Sequence, residues 1–317
     1  IKIFRKGYRP IEEEIFVNVE SILFDFHLDQ IEDSKFDIEL VYIKGGEFIM
    51  GQDIIINGEV FENKESPSHE VFLSSFYIGK FEITVEQFAY FIKETNYDTD
   101  AEKHGFGRIL ENGKVVEKAN INWRHDIFGE EYITLLNEFP VVNVSWNDAN
   151  EFCKWLSDKK NAEYRLPTEA EWEYVAQKAF KGTKFYWEES SSKDGLFVSN
   201  LEDSSYKAHF SLKNDLLFND GYPFIAPVGS FEADNLGLHD LYGNVSEWCY
   251  DFYSPFYYKF SPSQNPTGPE LGQKKVVRGF NWSTWASYNL EITNRHRYMP
   301  THFSHLTGFR VVKEIAD

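Results

Sequence analysis

Helical periodicity occupies a small part of this chain, and each clear helix is marked by its first residue. Thr84, Ser145 and Thr168 are followed three residues later by Gln, Asp and Glu respectively, which is the spacing of a capping box. An apolar stripe with spacings of three and four residues follows each of them. The remaining chain carries short apolar or alternating runs between turn residues, so the sequence predicts an irregular, loop-rich α+β fold.

Short strands are predicted where apolar residues cluster between turn signals. Residues 40–51 predict two strands around a turn at Gly45 and Gly46, where glycine would supply a positive φ. Three further runs predict strands: 71–76, 276–278 and 308–312. Segments 97–138 and 181–225 are interpreted as long loops, and loops of that length are usually functional or held by a ligand.

The charge balance is strongly acidic. Lys and Arg total 32 against 51 Asp and Glu, which gives a net charge of −19. Nucleic acids and anionic membrane surfaces attract cationic proteins, so this composition argues against both as partners. No apolar run approaches the roughly 18 residues of a membrane-spanning helix. Because the chain starts at Ile1 without the apolar core of a signal peptide, we expect a cytoplasmic protein or one whose targeting segment was removed.

An ordered series of motifs resembles the formylglycine-generating-enzyme (sulfatase-modifying factor) family. The motifs lie at 40–51, 65–70, 139–146, 164–174, 235–248, 278–279 and 308–312. The resemblance covers roughly residues 39–314. It implies a single irregular C-type-lectin-like domain over residues 39–317, preceded by an accessory segment of residues 1–38.

The catalytic cysteines of that family have no counterpart here. In the family's enzymes two cysteines shortly after an Arg-Gly-Gly turn bind copper and activate oxygen. This chain has Phe280 after Arg278 and Gly279, and the two cysteine positions fall on Thr284 and Asn289. Copper(I) needs soft thiolate ligands, which neither residue supplies. We therefore expect no bound copper and no enzyme activity of this kind.

Two cysteines and three clustered histidines leave other site types to consider. Cys153 and Cys249 are interpreted as buried apolar side chains, with a disulfide or a catalytic role as alternatives. His296, His302 and His305 could form part of a metal site, but solvent-facing histidines in a contact surface fit the pattern better.

Calcium is a different matter, because its ligands are oxygens. The resemblance implies two calcium sites. Residues matching the first site are Asn200, Leu201, Asp220 and Tyr222. Residues matching the second are Gly243, Asn244, Val245 and Glu247. The alternative is that Asn200 and Asp220 cap turns, as Asn and Asp side chains often do.

Residues 278–312 combine regularly placed frame residues with mixed side chains that follow no helical or strand period. The mixed set is rich in aromatic, His and Arg side chains, which are enriched at binding surfaces. Its members are Phe280, Asn281, Ser283, Thr284, Trp285, Tyr288, His296, Arg297, Tyr298, Met299, His302, Phe303, Ser304, His305 and Leu306. The layout resembles the variable region of retroelement-diversified proteins, one branch of which uses the formylglycine-enzyme version of the C-type-lectin-like fold.

These features support three hypotheses of different classes. The leading one is a non-catalytic protein that binds a protein or cell-surface ligand through residues 280–306. Proteins of this kind are displayed outside the cell, often by a lipid anchor on a removed N-terminal segment, so we expect a surface lipoprotein. The alternatives are a metal-dependent oxidoreductase of the same broad family and an accessory module whose fold serves assembly alone.

Overall fold

The computed structural model describes residues 36–56, 59–61, 63–131, 138–179, 199–210, 219–284 and 290–315, and the backbone of two short strands nearer the N-terminus. The helices are α1 (Val85–Thr95), α2 (Asp100–His104), α3 (Trp146–Lys160), α4 (Glu169–Ala179) and α5 (Ser204–His209), with a 3₁₀ turn at Tyr257–Lys259. The strands are β1 (Lys2–Ile3), β2 (Ile11–Glu12), β3 (Leu40–Ile43), β4 (Gly46–Met50), β5 (Ile54–Ile56), β6 (Glu59–Phe61), β7 (His69–Leu73), β8 (Phe76–Gly79), β9 (Phe106–Glu111), β10 (Lys114–Ala119), β11 (Tyr164–Arg165), β12 (Ser246–Phe252), β13 (Lys275–Arg278), β14 (His296–Tyr298), β15 (Thr307–Gly308) and β16 (Val312–Lys313).

Two four-stranded sheets lie at the centre of the described fold. The first has the order β11-β16-β8-β3, and all its neighbours are antiparallel. The second has the order β14-β13-β12-β15, in which β12 and β15 are parallel and the other pairs antiparallel. The remaining strands form two-stranded pairs, among them β4 with β7 and β9 with β10. In this arrangement β14 is an edge strand of the second sheet.

The three predicted helices are confirmed, together with their capping boxes. In α1 the Thr84 hydroxyl accepts from the Gln87 N–H while the Gln87 side chain accepts from the Thr84 N–H. Ser145 makes the same reciprocal pair at the start of α3. Thr168 and Glu171 do so at α4, with bonds of 3.1 and 2.8 Å. Each box satisfies two N–H groups that a helix start leaves free, an effect of about 1 kcal/mol per cap.

The segments interpreted as long loops contain regular structure, so that interpretation is wrong in part. Helix α2 and the β9–β10 hairpin occupy much of 97–138, and α5 lies within 181–225. Thr99 opens α2 with a capping box to Glu102, a signal that was present in the sequence. Helix α5 is short and is capped by Asp203, which accepts from two N–H groups of its first turn.

The turn at residues 44–45 also differs from the prediction. Strands β3 and β4 do not pair with each other, because β3 pairs with β8 and β4 pairs with β7. Gly45 does not have a positive φ. A Cβ atom at this position would lie 2.2 Å from the main-chain oxygen of Leu73. Glycine is required here by the close approach of two chain segments rather than by a turn conformation.

Interleaved aromatic rings connect α1 and α3 to the C-terminal strands. Phe88 contacts Phe91, Phe152 and Phe309 at ring-centroid distances of 5.3, 6.0 and 6.4 Å, and all four are buried. Phe36 stacks on a ring of α1 at 5.2 Å. The packed core therefore extends at least to Phe36, within the predicted accessory segment 1–38.

Candidate ligand-binding site

The first half of the candidate segment 280–306 is attached to the rest of the fold through its main chain. The Trp282 N–H donates to the Asn244 carbonyl at 3.0 Å, and the Glu202 N–H donates to the Thr284 carbonyl at 3.0 Å. Gly243, beside Asn244, tolerates no side chain, since a Cβ there would lie 2.2 Å from the Asn200 carbonyl. These bonds use main-chain atoms, so they do not depend on which side chains the segment carries.

The second half is held in the same way. The Ser304 carbonyl accepts from the Asn143 N–H at 2.8 Å, and the Leu306 carbonyl accepts from the Ser246 N–H at 2.9 Å. Just before these residues the chain turns at Met299, whose carbonyl accepts from the His302 N–H at 2.8 Å. The described parts of both halves are therefore held by main-chain hydrogen bonds to the rest of the fold.

The most exposed candidate side chains lie on β14 and directly after it. Arg297 is exposed, Tyr298 is 38% exposed and Met299 is 48% exposed. The Tyr298 ring stacks on His302, with centroids 4.3 Å apart and planes 12° apart. The Arg297 guanidinium lies 4.5 Å over the ring of Tyr253. The stacked Tyr298 and His302 rings are flat and stiff, so they lose little conformational entropy when a ligand covers them.

Arg108 on β9 supports this surface from the side. Its Nη1 donates to Nδ1 of His302 at 3.1 Å and to the Phe303 carbonyl at 2.9 Å. Burial, together with the nearby Arg108 charge, lowers the pKa of His302 to about 4. The imidazole is therefore neutral at physiological pH and can accept the Arg108 hydrogen bond.

Four candidate side chains lie beneath the surface and add no exposed contact area. Phe280 and Phe303 are each 4% exposed, Ser304 is 7% exposed and His305 is 1% exposed. Phe303 packs against rings of α2 and β9, and His305 lies 6.0 Å from Trp282. The interpretation of His305 as solvent-facing is therefore wrong, because long-range packing covers it.

The other candidates are partly exposed or lie outside the described residues. The partly exposed ones are Asn281, Ser283, Thr284, His296 and Leu306. Asn281 donates to the Ser246 hydroxyl at 3.0 Å. Trp285, Tyr288 and Asn289 lie outside the described residues. Within the described part of the chain, no group of three His, Cys, Asp or Glu side chains is placed to hold a metal ion.

Two buried arginines fix the end of β13 and the start of β14. Arg295 makes a two-pronged ion pair with Glu169, with both N–O distances 2.6 Å. Arg278 pairs with Glu173 at 2.7 Å and donates to two main-chain carbonyls. The sequence analysis did not identify the partners of these arginines on α4. The available signal was the presence of carboxylates among the apolar positions of that helix.

Both cysteines are buried and free. Burial raises the pKa of the Cys153 and Cys249 thiols, so neither is a ready source of thiolate. The prediction that they are buried apolar residues is confirmed, and the disulfide alternative is wrong.

The residues of the first calcium set lie together and fit a cation. Asn200 and Asp220 are buried, and Oδ1 of Asn200 has no hydrogen-bond partner among the described residues. The Asp220 carboxylate accepts from the Leu201 and Tyr222 N–H groups at 3.2 and 2.8 Å. The fully buried Asp203 accepts from the Asp220 N–H at 2.6 Å. Two neighbouring buried carboxylates and an unpaired amide oxygen are the donors that Ca²⁺ prefers.

The residues of the second set do not fit calcium. Both carboxylate oxygens of Glu247 accept from the Arg310 guanidinium at 2.6 to 2.9 Å, and one also accepts from Trp172 Nε1 at 2.9 Å. The Asn244 side-chain oxygen accepts from the Ala226 N–H at 2.9 Å. Gly243 and Val245 lie beside these groups in the chain but supply no side-chain oxygen. Arg310 already neutralises Glu247, so the carboxylate expected to supply the negative charge for a cation at this set is occupied.

Comparison with known proteins identifies the family. A model of the sulfatase-modifying factor enzyme 1-like domain matches residues 31–315. The chain belongs to this family. It is 33% identical over 293 residues to a formylglycine-generating enzyme of Streptomyces coelicolor, covering 86% of this chain and 88% of that protein. It is 30% identical over 295 residues to the inactive C-alpha-formylglycine-generating enzyme 2 of Mus musculus, covering 86% and 85% of the two chains.

A solved structure shares this fold. Treponema denticola variable protein 1 superposes with a TM-score of 0.60 at 22% identity, covering 90% of this chain and 98% of that one. The predicted loop-rich α+β fold of the formylglycine-generating-enzyme type is thereby confirmed. The family contains proteins named as enzymes and proteins named as inactive, so membership alone does not decide activity.

Proposed function

We propose that this protein is a non-catalytic receptor that binds a protein or cell-surface ligand through the surface formed by residues 281–306. The observation that carries the proposal is the main-chain attachment of this segment. Bonds such as Trp282 to Asn244 and Ser304 to Asn143 hold its path, while the side chains of β14 and the following turn face outward. A binding surface of this construction can change its side chains without changing its fold.

The side chains at the family's catalytic positions argue against the copper-dependent oxidation that the family's enzymes perform. Thr284 offers a hydroxyl where the resemblance expects a thiol, and Asn289 offers an amide. The cysteines of the chain are buried elsewhere, with raised thiol pKa values. These residues do not fit copper(I), and no catalytic step through it is derived.

Calcium at the first set would contribute to the rigidity of the receptor. Asn200, Leu201, Asp220 and Tyr222 would hold the cation through side-chain and main-chain oxygens. The Asn200 carbonyl also accepts from the Asn244 N–H at 2.9 Å, which links the set to the loop that anchors Trp282. A bound cation would therefore stabilise the loop at Asn244, to which the binding segment is attached through Trp282. We also propose that the protein is displayed outside the cell, where calcium is abundant. Diversification of the segment by a retroelement is a further part of the proposal.

A binding assay with a matched control tests the proposal. Ligands are isolated by screening the full chain against displayed extracellular proteins, and each is measured against a triple variant, Arg297→Ala, Tyr298→Ala and His302→Ala. The control variant carries Val115→Ala and Lys118→Ala on exposed β10. We expect the triple variant to lose at least about tenfold in affinity, since exposed aromatic and Arg side chains dominate such surfaces, and the control to match the wild type. Equal binding by all three proteins would contradict the proposal.

An activity assay addresses catalysis separately. The chain is incubated with Cu(I), oxygen and a cysteine-containing peptide substrate of the family's enzymes, and the peptide is examined by mass spectrometry. We expect no loss of the thiol to aldehyde, because the chain lacks the two thiolates. Conversion of at least one peptide thiol to an aldehyde per protein molecule would contradict a non-catalytic role.

A further inference from the structure

The C-terminal part of the chain has the opposite charge to the rest. Residues 252–313 contain eight Lys and Arg but two Asp and Glu, a local balance of 8 − 2 = +6 within a chain of net charge −19. The remainder must then carry −19 − 6 = −25. The candidate surface thus belongs to a stretch with a net positive charge in a strongly acidic protein, and which of these cations are free to meet a partner depends on the fold.

Three of these eight cations are already engaged in ion pairs inside the fold. Arg278, Arg295 and Arg310 are fully buried and paired with Glu173, Glu169 and Glu247. Arg297 differs from them. It is exposed and rests on the Tyr253 ring, and it forms no ion pair with any residue that the structure describes.

Arg297 lies on an open sheet edge. In the second sheet β14 pairs with β13 through Val276↔Arg297 and its neighbours, and the described strands include none on its other side. Apart from that pairing, the main-chain groups of 296–298 make no hydrogen bond within the described residues. Lys64 closes the edge just before this stretch, because its Nζ donates to the Arg295 carbonyl at 2.9 Å. The open edge is therefore confined to the three residues of β14.

The two faces of β14 differ in chemistry. Successive strand residues point to opposite faces, so Arg297 and Tyr298 lie on different sides of the sheet. One face presents the Arg297 guanidinium over Tyr253. The other presents the Tyr298 ring stacked on His302, with Trp248 6.2 Å from Tyr298. A strand added beside β14 would meet a cation with one side chain and aromatic rings with the next.

We propose that β14 accepts an extended segment of a partner polypeptide as an added strand, and that this segment alternates carboxylate with apolar side chains. The inference rests on the proposed function and names the ligand class of that surface. The open edge supplies main-chain hydrogen bonds, Arg297 pairs with the carboxylate, and the Tyr298–His302 stack covers the apolar side chain. An open strand edge favours a polypeptide over a sulfated polysaccharide or a nucleic acid, because only a polypeptide completes the main-chain ladder.

Selection from a peptide library tests this directly. A displayed library of random 12-residue peptides is panned on the full chain, and the enriched peptides are measured by fluorescence anisotropy against wild type and Arg297→Glu. Lys44→Glu, an exposed position between β3 and β4, serves as a control with the same change of net charge. The enriched peptides are also synthesised with their acidic residues replaced by Lys. Two further versions carry N-methyl groups on every second main-chain amide, one at the odd positions and one at the even positions.

The expected result has four parts. Enriched peptides alternate Asp or Glu with apolar residues, and Arg297→Glu weakens them at least about tenfold while Lys44→Glu does not. Lys-substituted peptides bind Arg297→Glu better than wild type. N-methylation in one register abolishes binding and in the other register spares it, because alternate amides of an added strand face β14.

Other results overturn the inference and separate it from the proposed function. No enriched peptide, no acidic bias, equal effects of both N-methyl registers, or displacement by heparin without peptide enrichment would each exclude strand addition by an acidic segment. So would a dimer of this chain that Arg297→Glu dissociates, since the edge would then be occupied by a second copy. Peptides that need Tyr298 and His302 but not Arg297 would end this inference and leave the proposed function standing. Binding that ignores all three residues would end both.

Discussion

The main-chain N–H of Trp282 donates to the main-chain carbonyl of Asn244 at 3.0 Å, which ties the candidate segment 280–306 to the loop that precedes β12. The Trp282 ring itself is 1% exposed and packs against Phe224 at 5.4 Å. The frame of the surface is thus set by a main-chain bond and a buried ring. Outward side chains such as Ser283 and Met299 take no part in it.

The contrast between a buried frame and outward side chains predicts how the free energy of unfolding responds to substitution. Ser283→Ala, Arg297→Ala and Met299→Ala should each change the free energy of unfolding by no more than about 0.5 kcal/mol, because they remove exposed groups. Trp282→Ala should cost about 3–5 kcal/mol, because it leaves a cavity in the core. Urea unfolding at constant pH and calcium measures both. Losses at the exposed positions as large as that of Trp282→Ala would show that the side chains, and not the frame, hold the surface.

The Arg310–Glu247 pair predicts a second contrast. Glu247→Gln should destabilise the protein by about 3–5 kcal/mol, since it leaves a fully buried guanidinium without its counter-charge. Glu117→Gln removes a more exposed partner of Arg108 and should cost less than about 1 kcal/mol. Unfolding measurements with and without calcium check this pair of variants. A calcium-dependent loss at Glu247→Gln would contradict our conclusion that this carboxylate binds Arg310 rather than a cation.

Calcium should stabilise the protein through the first set. We expect the melting temperature to rise when calcium replaces a chelator, because a ligand that binds only the folded state shifts unfolding upward. Asp220→Asn should abolish that rise. Asp126→Asn is the matched control, since Asp126 accepts from a main-chain N–H in a turn in the same manner. Differential scanning fluorimetry of the three proteins decides the matter, and a wild type indifferent to calcium would contradict the proposed site.

Buried histidines predict a loss of stability in mild acid. Burial lowers the pKa of His305 to about 4, below its ordinary value of 6.5, so the unfolded chain takes up this proton first. Protonation therefore favours unfolding as the pH falls from about 6.5 to 4, and the His305 contribution is fully present only above that window. His305→Gln removes the titrating group. The free energy of unfolding of this variant should fall less steeply over the window than that of the wild type, and parallel curves would contradict the assignment.

Local signals made the helices predictable from sequence, whereas long-range contacts limited the prediction of the site. Thr84, Ser145 and Thr168 each find their capping partner three residues away, so the sequence contains the whole interaction. His305 is buried and lies beside the Trp282 ring, which is distant from it in sequence. Glu247 resembled a calcium ligand until its partner Arg310 was located, 63 residues further along the chain. Side-chain identity indicated the surface, but only the fold shows which of its residues face outward.

The central claim is that residues 281–306 form a ligand-binding surface whose side chains vary on a fixed frame. Sequencing this gene from many independent isolates tests it most directly. The account predicts that substitutions concentrate in codons of this segment, above all at outward positions such as Arg297, Tyr298 and His302, and spare Trp282, Arg295 and Arg310. A segment as invariant as the rest of the chain would contradict diversification and would return attention to the enzyme and accessory alternatives.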